Sequence, residues 1–591
     1  MALLPDVHYQ FATYFDSSHK LSPYLYTLSR RINEGHICID IREPLPQQTL
    51  DAFQLGRQPA LTDHQLIGSP EDLVHPFILD NDLLYTQRLY KYETHIAGYI
   101  KQAATAKSRD IDMIKAGEWL ERYFPGTGST GPDWQQIAAA SALLHNFTII
   151  TGGPGTGKTT TVAKILSILW HLQPSCNIAL AAPTGKAAAR MAESLHLSGG
   201  TRTPELTEKF RQLPSGTIHR LLGTLHNSIY FRYNRSNPLP YDVIVIDECS
   251  MIDIALFSKL LSAIPPHCKL ILLGDKNQLA SVEAGSLFGD ICNTLPRQNQ
   301  FTPSFIDNVT TLSPQQGLLL AARTTTAPHL LTDHIITLEK SHRFSDDLGI
   351  GLISKAVIEN DTEVLNFFCD MRGNDAVQID FEYNEAIFRQ FIQQFSAYIF
   401  DAAGKRQDIL PALQAFHHCR VLSAVKQQEA GIYNLNLKIE LYLHQRGWIN
   451  MYDPYYDYRP IMVTRNNYTL GLHNGDTGIL KKDPADGVTY AYFLVRDDNG
   501  TEQVKKVLPG LIAAYETCYA MTIHKSQGSE FNNVLMILPP NEDSQILSRE
   551  LIYTGITRAR EHVLIQAARS VFMEGCSRKV VRYSGLPGRL Q

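Results

Sequence analysis

A glycine-rich segment, GGPGTGKTT at residues 152–160, constrains the fold of this chain more than any other feature. It contains the pattern G-x-x-x-x-G-K-T, follows the apolar run FTIIT and opens a helical pattern, TTTVAKILSILWHL. In such a strand–loop–helix unit, backbone N–H groups and the helix dipole bind nucleotide phosphates. We expect Lys158 to reach the β- and γ-phosphates and the Thr159 hydroxyl to bind Mg²⁺. The expected phosphate-binding residues are Gly152, Gly153, Pro154, Gly155, Thr156, Gly157, Lys158, Thr159 and Thr160.

Further apolar runs indicate the class of fold around this loop. NIALAAP at 177–183, DVIVID at 242–247 and KLILLGD at 269–275 are bounded by Gly, Pro or Asp and separated by helical stretches. Short buried runs in this arrangement are typical of a parallel sheet with helices on both faces. The sequence therefore predicts an α/β fold.

Composition excludes several classes of protein. The 591 residues suggest three to five domains, and 54 Lys and Arg against 59 Asp and Glu give a net charge of −5. This charge argues against coating DNA by bulk attraction, but not against a local nucleic-acid track. The nine cysteines form no CxxC pair, so neither a zinc finger nor a disulfide framework is expected. No membrane helix or signal peptide is read, and we expect a cytoplasmic protein.

Polar residues at the ends of two predicted strands supply candidate catalytic groups. Asp247 and Glu248 end the run VIVIDE, and Gln278 follows the run LLGD. We expect Asp247 to hold Mg²⁺ and Glu248 to activate the attacking water. Gln278 lies where the carboxyl edge of such a sheet binds ligands, and it can sense the γ-phosphate.

Two arginines further along the chain are candidate arginine fingers. Arg343 lies in LEKSHRF and Arg558 in ELIYTGITRARE, both of which we place in a second lobe. A cation that enters a cleft between lobes stabilises the transition state of phosphoryl transfer. The phosphate loop and the acidic pair predict a site that hydrolyses a nucleotide, with Glu248 and Gln278 among its catalytic residues. A single arginine is usually a surface charge, so Arg343 and Arg558 are added as catalytic residues on the order of all the motifs, which is given below.

The chain divides into three predicted regions. Residues 1–110 mix helical and strand patterns, 111–337 form the lobe with the phosphate loop, and 338–591 form a second α/β lobe. A small β-barrel is expected at about 460–515, where apolar and polar residues alternate between NGDTG, PADG and DDNG turns. The Gln-, Thr- and Pro-rich stretch 296–335 is expected to be an irregular insertion between the lobes.

The order of the motifs resembles that of superfamily 1 helicases, and is densest for the RecD family, the alpha subunits of bacterial exodeoxyribonuclease V. The resemblance spans about 131–566 and includes GGPGTGKTT, APTGKAAARM, TIHRLLG, VIDECSMID, LLGDKNQL, LEKSHRF, YAMTIHKSQGSEF and IYTGITRARE. It implies two RecA-like motor lobes with parallel sheets, an inserted SH3-like β-barrel, and an N-terminal mixed or helical domain that binds partner subunits. It also implies ATP and Mg²⁺ as cofactors.

The resemblance also implies roles for individual residues. Gln135 matches the residue that reads adenine, Gln527 and Gly528 match the ATP cleft, and Glu530 matches a ribose contact. The residues that match contacts to a single strand are Pro183, Thr184, Lys186, Thr217, His219, Thr522, His524, Lys525 and Ser526. Hydroxyls, amides and a few cations suit a translocase because they grip phosphate without reading bases.

The segment after Gln278 indicates a direction of movement. It reads Leu-Ala-Ser and lacks the aromatic residue of the 3′→5′ branch, so the chain resembles the 5′→3′ branch. The expected function is an ATP-dependent 5′→3′ DNA helicase that acts on single strands and duplex ends with RecB-like and RecC-like subunits in double-strand break repair.

Three alternatives stay open at this point. One is a stand-alone RecD-like helicase, although the long N-terminal extension of helix-hairpin-helix modules in such proteins is not found. The second is an assembly subunit whose motor is incidental, and the third is RNA as the substrate. No lysine has Asp or Glu two positions before it, so the acidic-x-Lys motif of a RecB-type nuclease is absent.

Overall fold

The structure is a computed structural model, and it describes most of the chain. The residues outside the description are 1–5, 18–19, 62–64, 73, 107–110, 127–130, 198–202, 226–227, 345–347, 371–374, 468, 497–500 and 542–545. Within the described ranges, no helix is both long and apolar enough to cross a membrane.

The N-terminal region combines helices with a small sheet. Its strands pair in the order β1-β4-β3-β2, with bounds β1 Cys38–Asp40, β2 Ile67–Gly68, β3 Phe77–Asp80 and β4 Leu83–Thr86. Its helices are α1 Val7–Phe15, α2 Ser22–Asn33, α3 Gln47–Ala52 and α4 Gln87–Thr105. α4 packs on the next lobe through buried apolar residues such as Ile96 and Ile100, so this region shares a core with it.

The first lobe is a parallel sheet with helices on both faces. The strand order is β10-β5-β9-β8-β6-β7, with bounds β5 Phe147–Gly152, β6 Ile178–Ala182, β7 Ser215–Thr217, β8 Val243–Ile246, β9 Lys269–Gly274 and β10 Ile335–Leu338. Its helices are α5 Met113–Tyr123, α6 Trp134–Leu144, α7 Lys158–Leu172, α8 Gly185–Leu197, α9 Pro204–Arg211, α10 Ile218–Leu222, α11 Ile254–Ala263, α12 Leu287–Cys292, α13 Pro303–Leu312 and α14 Pro314–Leu320.

The second lobe is also a parallel sheet, and an antiparallel sheet is inserted into it. The lobe's strand order is β11-β20-β19-β12-β18, and that of the insert is β16-β15-β14-β13-β17. The strands are β11 Val377–Asp380, β12 Cys419–Ser423, β13 Arg459–Val463, β14 Thr477–Lys482, β15 Thr489–Arg496, β16 Glu502–Val507, β17 Tyr515–Thr517, β18 Ala520–Thr522, β19 Phe531–Ile537 and β20 Ala559–Gln566. The helices are α15 Gly349–Glu359, α16 Thr362–Asp370, α17 Glu385–Ile392, α18 Ser396–Ile399, α19 Ile409–Phe416, α20 Ile432–Gln445, α21 Arg549–Ile556, α22 Arg569–Ser577 and α23 Leu586–Leu590.

The parallel sheets confirm the α/β prediction, and the NGDTG and PADG turns lie between strands of the inserted sheet. The DDNG turn lies outside the described residues. Among those described, no pairing joins the outer strands β16 and β17. Closure of the insert into a barrel therefore stays a prediction.

Two expectations about the boundary between the lobes are wrong. The stretch 296–335 contains α13 and α14, whose residues Phe305, Val309 and Leu312 are buried in the first lobe's core. Few charges in this stretch suggest an irregular segment, although its apolar residues have helical spacing. Thr302 caps α13 by accepting a hydrogen bond from the amide of Phe305. β10 ends at Leu338 and pairs with Gly152, so Arg343 follows a first-lobe strand rather than one of the second lobe.

The C-terminal segment returns from the second lobe to the N-terminal region. Its anchor is Glu93, whose side chain is fully buried on α4. The Glu93 carboxylate accepts from the Tyr85 hydroxyl, from Ser584 and Gly585, and from the Arg589 guanidinium at 2.9 Å. A buried carboxylate is stable only when its oxygens are paired in this way. Glu93 therefore holds the C-terminus in place.

Replacing Glu93 by alanine should release this segment. Breaking one side of a buried ion pair costs about 3–5 kcal/mol because the remaining charge loses its partner. We expect a lower temperature of thermal unfolding and faster tryptic cleavage within residues 578–591. Glu429→Ala, at a side chain that is 83% exposed, is the control and should change neither. An unaltered melting curve for Glu93→Ala would contradict the anchoring role.

Candidate functional site

The phosphate loop connects β5 to α7 and is shaped by two glycines. Gly155 and Gly157 have φ angles of 78° and 83°, which side chains rarely adopt. A Cβ atom at Gly155 would collide with Arg343, and one at Gly157 with the Gln135 amide. Only glycine fits at these two positions, and the loop therefore lies directly against both predicted nucleotide-binding residues.

The Lys158 ammonium is held inside this loop. Its Nζ donates to the carbonyls of Gly152 at 2.6 Å and Gly153 at 3.1 Å. Gln135 Nε2 donates to the Thr156 carbonyl at 3.1 Å, which fixes the amide beside the loop. The loop, its lysine and Gln135 thus form one unit at the N-terminus of α7.

The acidic pair follows β8, which neighbours β9 in the same sheet. Asp247 Oδ1 accepts from the Glu248 amide at 2.8 Å, and Glu248 has a left-handed backbone with φ 53°. A non-glycine residue in this conformation is strained, and such strain clusters at functional sites. Burial, and then the charge of Glu248, raise the pKa of Asp247. A divalent cation would relieve that unfavourable charge, and the oxygens of Asp247 and Thr159 are the ligands that Mg²⁺ prefers.

These residues line a cleft of about 670 Å³ between the two parallel sheets. The cleft lining includes, from the first lobe, Gln135, Pro154, Gly155, Thr156, Gly157, Lys158, Thr159, Thr160, Asp247, Glu248, Gln278 and Arg343, and from the second lobe, Gly528, Glu530 and Arg558. Gly152 and Gly153 are not part of the lining. Gln527 is also absent from the lining of the cleft. Its side-chain amide instead donates across the lobes to the Leu279 carbonyl at 3.2 Å.

An ion pair crosses this cleft. Glu530 of the second lobe accepts from Arg343 at 2.5 Å and from Arg560 at 2.8 Å. Burial raises the pKa of Glu530, but Arg343, Arg560 and Arg190 outweigh it and lower the pKa to about 2. The carboxylate is therefore charged at neutral pH, and the stability that it adds is complete above about pH 4.5 and is lost progressively as the pH falls from there through about 2.

Arg558 is held by backbone oxygens on the second lobe. The residue is only 4% exposed, and its guanidinium donates to the carbonyls of Thr554 at 3.0 Å and Ser529 at 3.2 Å. Burial lowers the pKa of Arg558, whereas the charges of Glu248 and Glu530 favour the cation. A desolvated cation opposite the predicted water-activating carboxylate fits the stabilisation of a transferred phosphoryl group.

Four residues of this region were missed by sequence reasoning. Arg190 and Arg560 line the cleft, and Asp275 accepts from the hydroxyl of Tyr553, across the lobes, at 2.9 Å. Arg190 lies one helical turn after Lys186 on α8, so the two residues share a face of the helix, and this spacing could have identified Arg190. Arg560 lies near the start of β20, and Arg558 precedes that strand, so no strand periodicity relates the two arginines. No local signal indicates the Asp275–Tyr553 contact.

The first-lobe residues that are predicted to contact a single strand of nucleic acid are partly engaged in other interactions. Lys186 Nζ donates to Ser529 Oγ at 2.6 Å and to the Gly475 carbonyl of the NGDTG turn at 3.0 Å. Burial lowers its pKa to about 7. Thr184 and Thr217 accept from the amides of Ala187 and Arg220, as helix caps do. Lys186 is therefore an interlobe contact in this structure and is not free to hold a strand, while Pro183 stays partly exposed beside it.

Among His219 and the predicted contacts of the second lobe, several side chains are likewise engaged in contacts within the protein. His219 lies edge-on to Phe231, 5.8 Å between ring centres. Lys525 pairs with Glu516 at 2.7 Å, and the buried Thr522 hydroxyl accepts from the Lys525 amide. His524 instead lines a second cavity beside Gln278.

The Ser526 hydroxyl is engaged within the second lobe. Its side chain is fully buried and donates to the Ile523 carbonyl at 2.8 Å. The hydroxyl is therefore unavailable to a strand in this conformation.

Comparisons with known proteins give consistent matches. The family described as AAA domain matches residues 135–284, and the UvrD-like helicase C-terminal domain matches residues 517–565. Bacteroides Pif1 bound to ssDNA has a TM-score of 0.35 and 16% identity over 75% of this chain and 93% of that chain, a likeness too weak to inform the fold.

Curated relatives align over nearly the whole chain. The RecBCD enzyme subunit RecD of Haemophilus influenzae is 32% identical over 95% of this chain and 88% of its own length. The subunit of the same name from Mycolicibacterium smegmatis is 32% identical over 95% of this chain and 92% of its own length. The ATP-dependent RecD2 DNA helicase of Deinococcus radiodurans is 26% identical over 81% of this chain and 56% of its own length. With this cleft between its parallel sheets and relatives so similar across almost all of both chains, the chain belongs to the RecD family.

Proposed function

We propose that this chain is an ATP-driven 5′→3′ DNA helicase and translocase that serves as the RecD-type subunit of a RecBCD-type complex at DNA double-strand breaks. The observation that carries the proposal is the interlobe cleft, in which the phosphate loop faces Glu530 and Arg558 of the second lobe. A nucleotide in this cleft contacts both lobes. Its hydrolysis can therefore change how they meet.

The catalytic roles follow from the chemistry of the cleft. Lys158, Arg343 and Arg558 supply positive charge to the phosphates, where charge develops during transfer. Glu248 orients the attacking water and accepts its proton, and Gln278 lies at the phosphate end of the cleft. Thr159 and Asp247 would hold Mg²⁺, and the ion would supply positive charge that neutralises the phosphates. Gln135 contacts the adenine, and Glu530 the ribose.

Movement along a strand follows from contacts that join the lobes. Lys186 donates to Ser529, Gln527 to the Leu279 carbonyl, and the Leu279 amide to Thr554 Oγ1 at 3.1 Å. Nucleotide-dependent opening must break such contacts and free Lys186 for the strand. Alternating grip by residues on each lobe then moves the strand in one direction.

The higher identity of the RecD subunits, 32% against 26% for the RecD2 helicase, favours a partner-bound role over a stand-alone one. We propose RecB-like and RecC-like partners, with the N-terminal region as their binding surface and any nuclease activity on a partner. The domain limits proposed are 1–110 for the N-terminal region and 111 to just beyond Arg343 for the first lobe, since β10 extends that lobe's sheet to Leu338. The second lobe takes the remaining residues to 591, with the inserted sheet forming an SH3-like barrel. A complex that acts on chromosomal DNA ends is expected in the cytoplasm.

Glu248→Gln should stall the motor after ATP binding. The amide preserves the shape of the side chain but cannot accept the proton of water, so we expect hydrolysis to fall by about 10²–10⁴-fold. ATP and single-strand binding should persist. Lys158→Ala is the comparison variant and should lose nucleotide binding as well, which fluorescent-nucleotide titration distinguishes. Turnover of Glu248→Gln at the parent rate would place the base elsewhere.

Tailed duplexes test the proposed direction. With ATP and Mg²⁺, we expect unwinding from a 5′ single-stranded tail and none from a 3′ tail. Affinity for single strands should fall with added salt and vary little with base sequence, because phosphate contacts dominate. If the assay uses the complex, any motor on a partner subunit should be inactivated, so that the unwinding measured comes from this chain alone. Unwinding from the 3′ tail alone would reject the proposed branch of the superfamily.

A further inference from the structure

Residues 278–286, here called the Gln278 loop, separate two cavities. Gln278 lines the nucleotide cleft, and it also lines a second cavity of about 370 Å³ together with His524, Lys276 and Arg582. The first cavity is the proposed ATP site, and the second contains a predicted strand contact. The loop between them is therefore placed to pass a change in one cavity to the other.

Arg582, which lies far along the chain, holds the Gln278 loop closed by donating hydrogen bonds to its carbonyls. Its Nη1 atom donates to the carbonyls of Ser281 and Gly285, each at 2.8 Å, and of Glu283 at 3.2 Å. Ser281 Oγ also donates to the carbonyls of Glu283 and Gly285. These carbonyls converge on one guanidinium, which lets the turn close tightly. Removing the guanidinium would take away this donor from the Ser281 carbonyl and leave the carbonyls of Glu283 and Gly285 to share the single Ser281 hydroxyl.

The N-terminal region packs against the other side of the guanidinium. A Cβ atom at Gly35 would lie 2.6 Å from Arg582 Cζ, and the Gly35 carbonyl accepts from the Gly285 amide at 2.8 Å. Gly35 has φ 96° and Gly285 has φ 106°, so both positions suit glycine. The Gln278 loop is thus enclosed by the N-terminal region on one side and by Arg582 on the other.

Residues 578–590, here called the C-terminal strap, bring Arg582 to the loop. On the second-lobe side, the Val580 amide donates to Glu550 of α21 at 3.2 Å. Beyond Arg582, the Tyr583 carbonyl accepts from Ile37, and Leu586 and Leu590 are fully buried beside α4. The strap is therefore anchored on both sides of Arg582 and links the second lobe to the first.

We propose that Arg582 is a positioning residue for ATP hydrolysis. It holds the Gln278 loop in the conformation in which Gln278 contacts the nucleotide while a single strand of nucleic acid is bound. Arg582 is not part of the lining of the nucleotide cleft, and it acts through the carbonyls of the loop. The proposal rests on the proposed function, because it assigns Gln278 to the ATP cleft. A loose loop leaves the phosphate loop intact, so nucleotide binding is retained while strand-stimulated turnover falls.

The test compares Arg582→Ala and Arg582→Lys with the full-length parent, in complex with its partners if it requires them. For Arg582→Ala we expect the strand-stimulated kcat for ATP to fall by up to about 10²-fold, the scale of a 1 Å displacement at an active site. The KM for ATP should stay within about twofold, since the residues that bind phosphate are unchanged. Arg582→Lys keeps donors to the carbonyls but loses the planar fork, and should be intermediate.

Arg569→Ala is the matched control, because Arg569 is a half-exposed arginine of the same region, on α22, paired with Asp370. It should leave kcat, KM and thermal stability unchanged. Retention of the stimulated kcat by Arg582→Ala would overturn the proposal, as would equal losses of kcat in Arg582→Ala and in the control.

Hydrogen exchange separates this proposal from the proposed function. The Gly285 amide should exchange faster in Arg582→Ala than in the parent or in Arg569→Ala, whether or not the chain hydrolyses ATP. Unchanged exchange at residues 279–286 would reject the role of Arg582. Absence of strand-stimulated hydrolysis in the parent would instead reject the proposed function.

Discussion

The ion pair between Arg343 and Glu530 is the interaction on which the site depends. It spans the cleft between the two sheets at 2.5 Å, and Arg560 shares the same carboxylate. Arg343 Nη1 is buried without a hydrogen-bond partner in the described structure, which is costly for a charged group unless a ligand supplies one. Nucleotide phosphate is such a ligand. The pair therefore holds the lobes together while leaving a guanidinium nitrogen available to the substrate.

The contacts around this pair make lobe position and phosphate chemistry interdependent. Tyr553 of α21 touches Asp275 beside the phosphate loop, and Lys186 of α8 reaches Ser529 on the other lobe. Each lobe thus presents groups that are satisfied only when the other lobe is near. Binding that favours one arrangement shifts the population towards it by its differential affinity. This property is what a motor driven by ATP requires.

Local pattern predicted the parts of the site that are local in the chain. The strand, loop and helix around Lys158 and the acidic pair after β8 could be read from sequence because each is set by a few adjacent residues. The partner of Lys186 could not, since Ser529 is far along the chain and belongs to the other lobe. Arg582 carried no signal for the same reason. Composition does not predict the helices α13 and α14, because their few charges and many Thr and Gln residues surround a narrow apolar face that packs into the core.

Hydrolysis in this cleft needs positive charge from both lobes, and a variant of Arg558 tests that requirement most directly. Single-turnover hydrolysis by Arg558→Ala, compared with Arg569→Ala, should be measured at saturating ATP and single strand. The account predicts nucleotide binding close to that of the parent, with hydrolysis slowed by about 10³–10⁵-fold, the contribution of an arginine finger. Hydrolysis at the parent rate in Arg558→Ala would contradict the account, because the first lobe would then suffice.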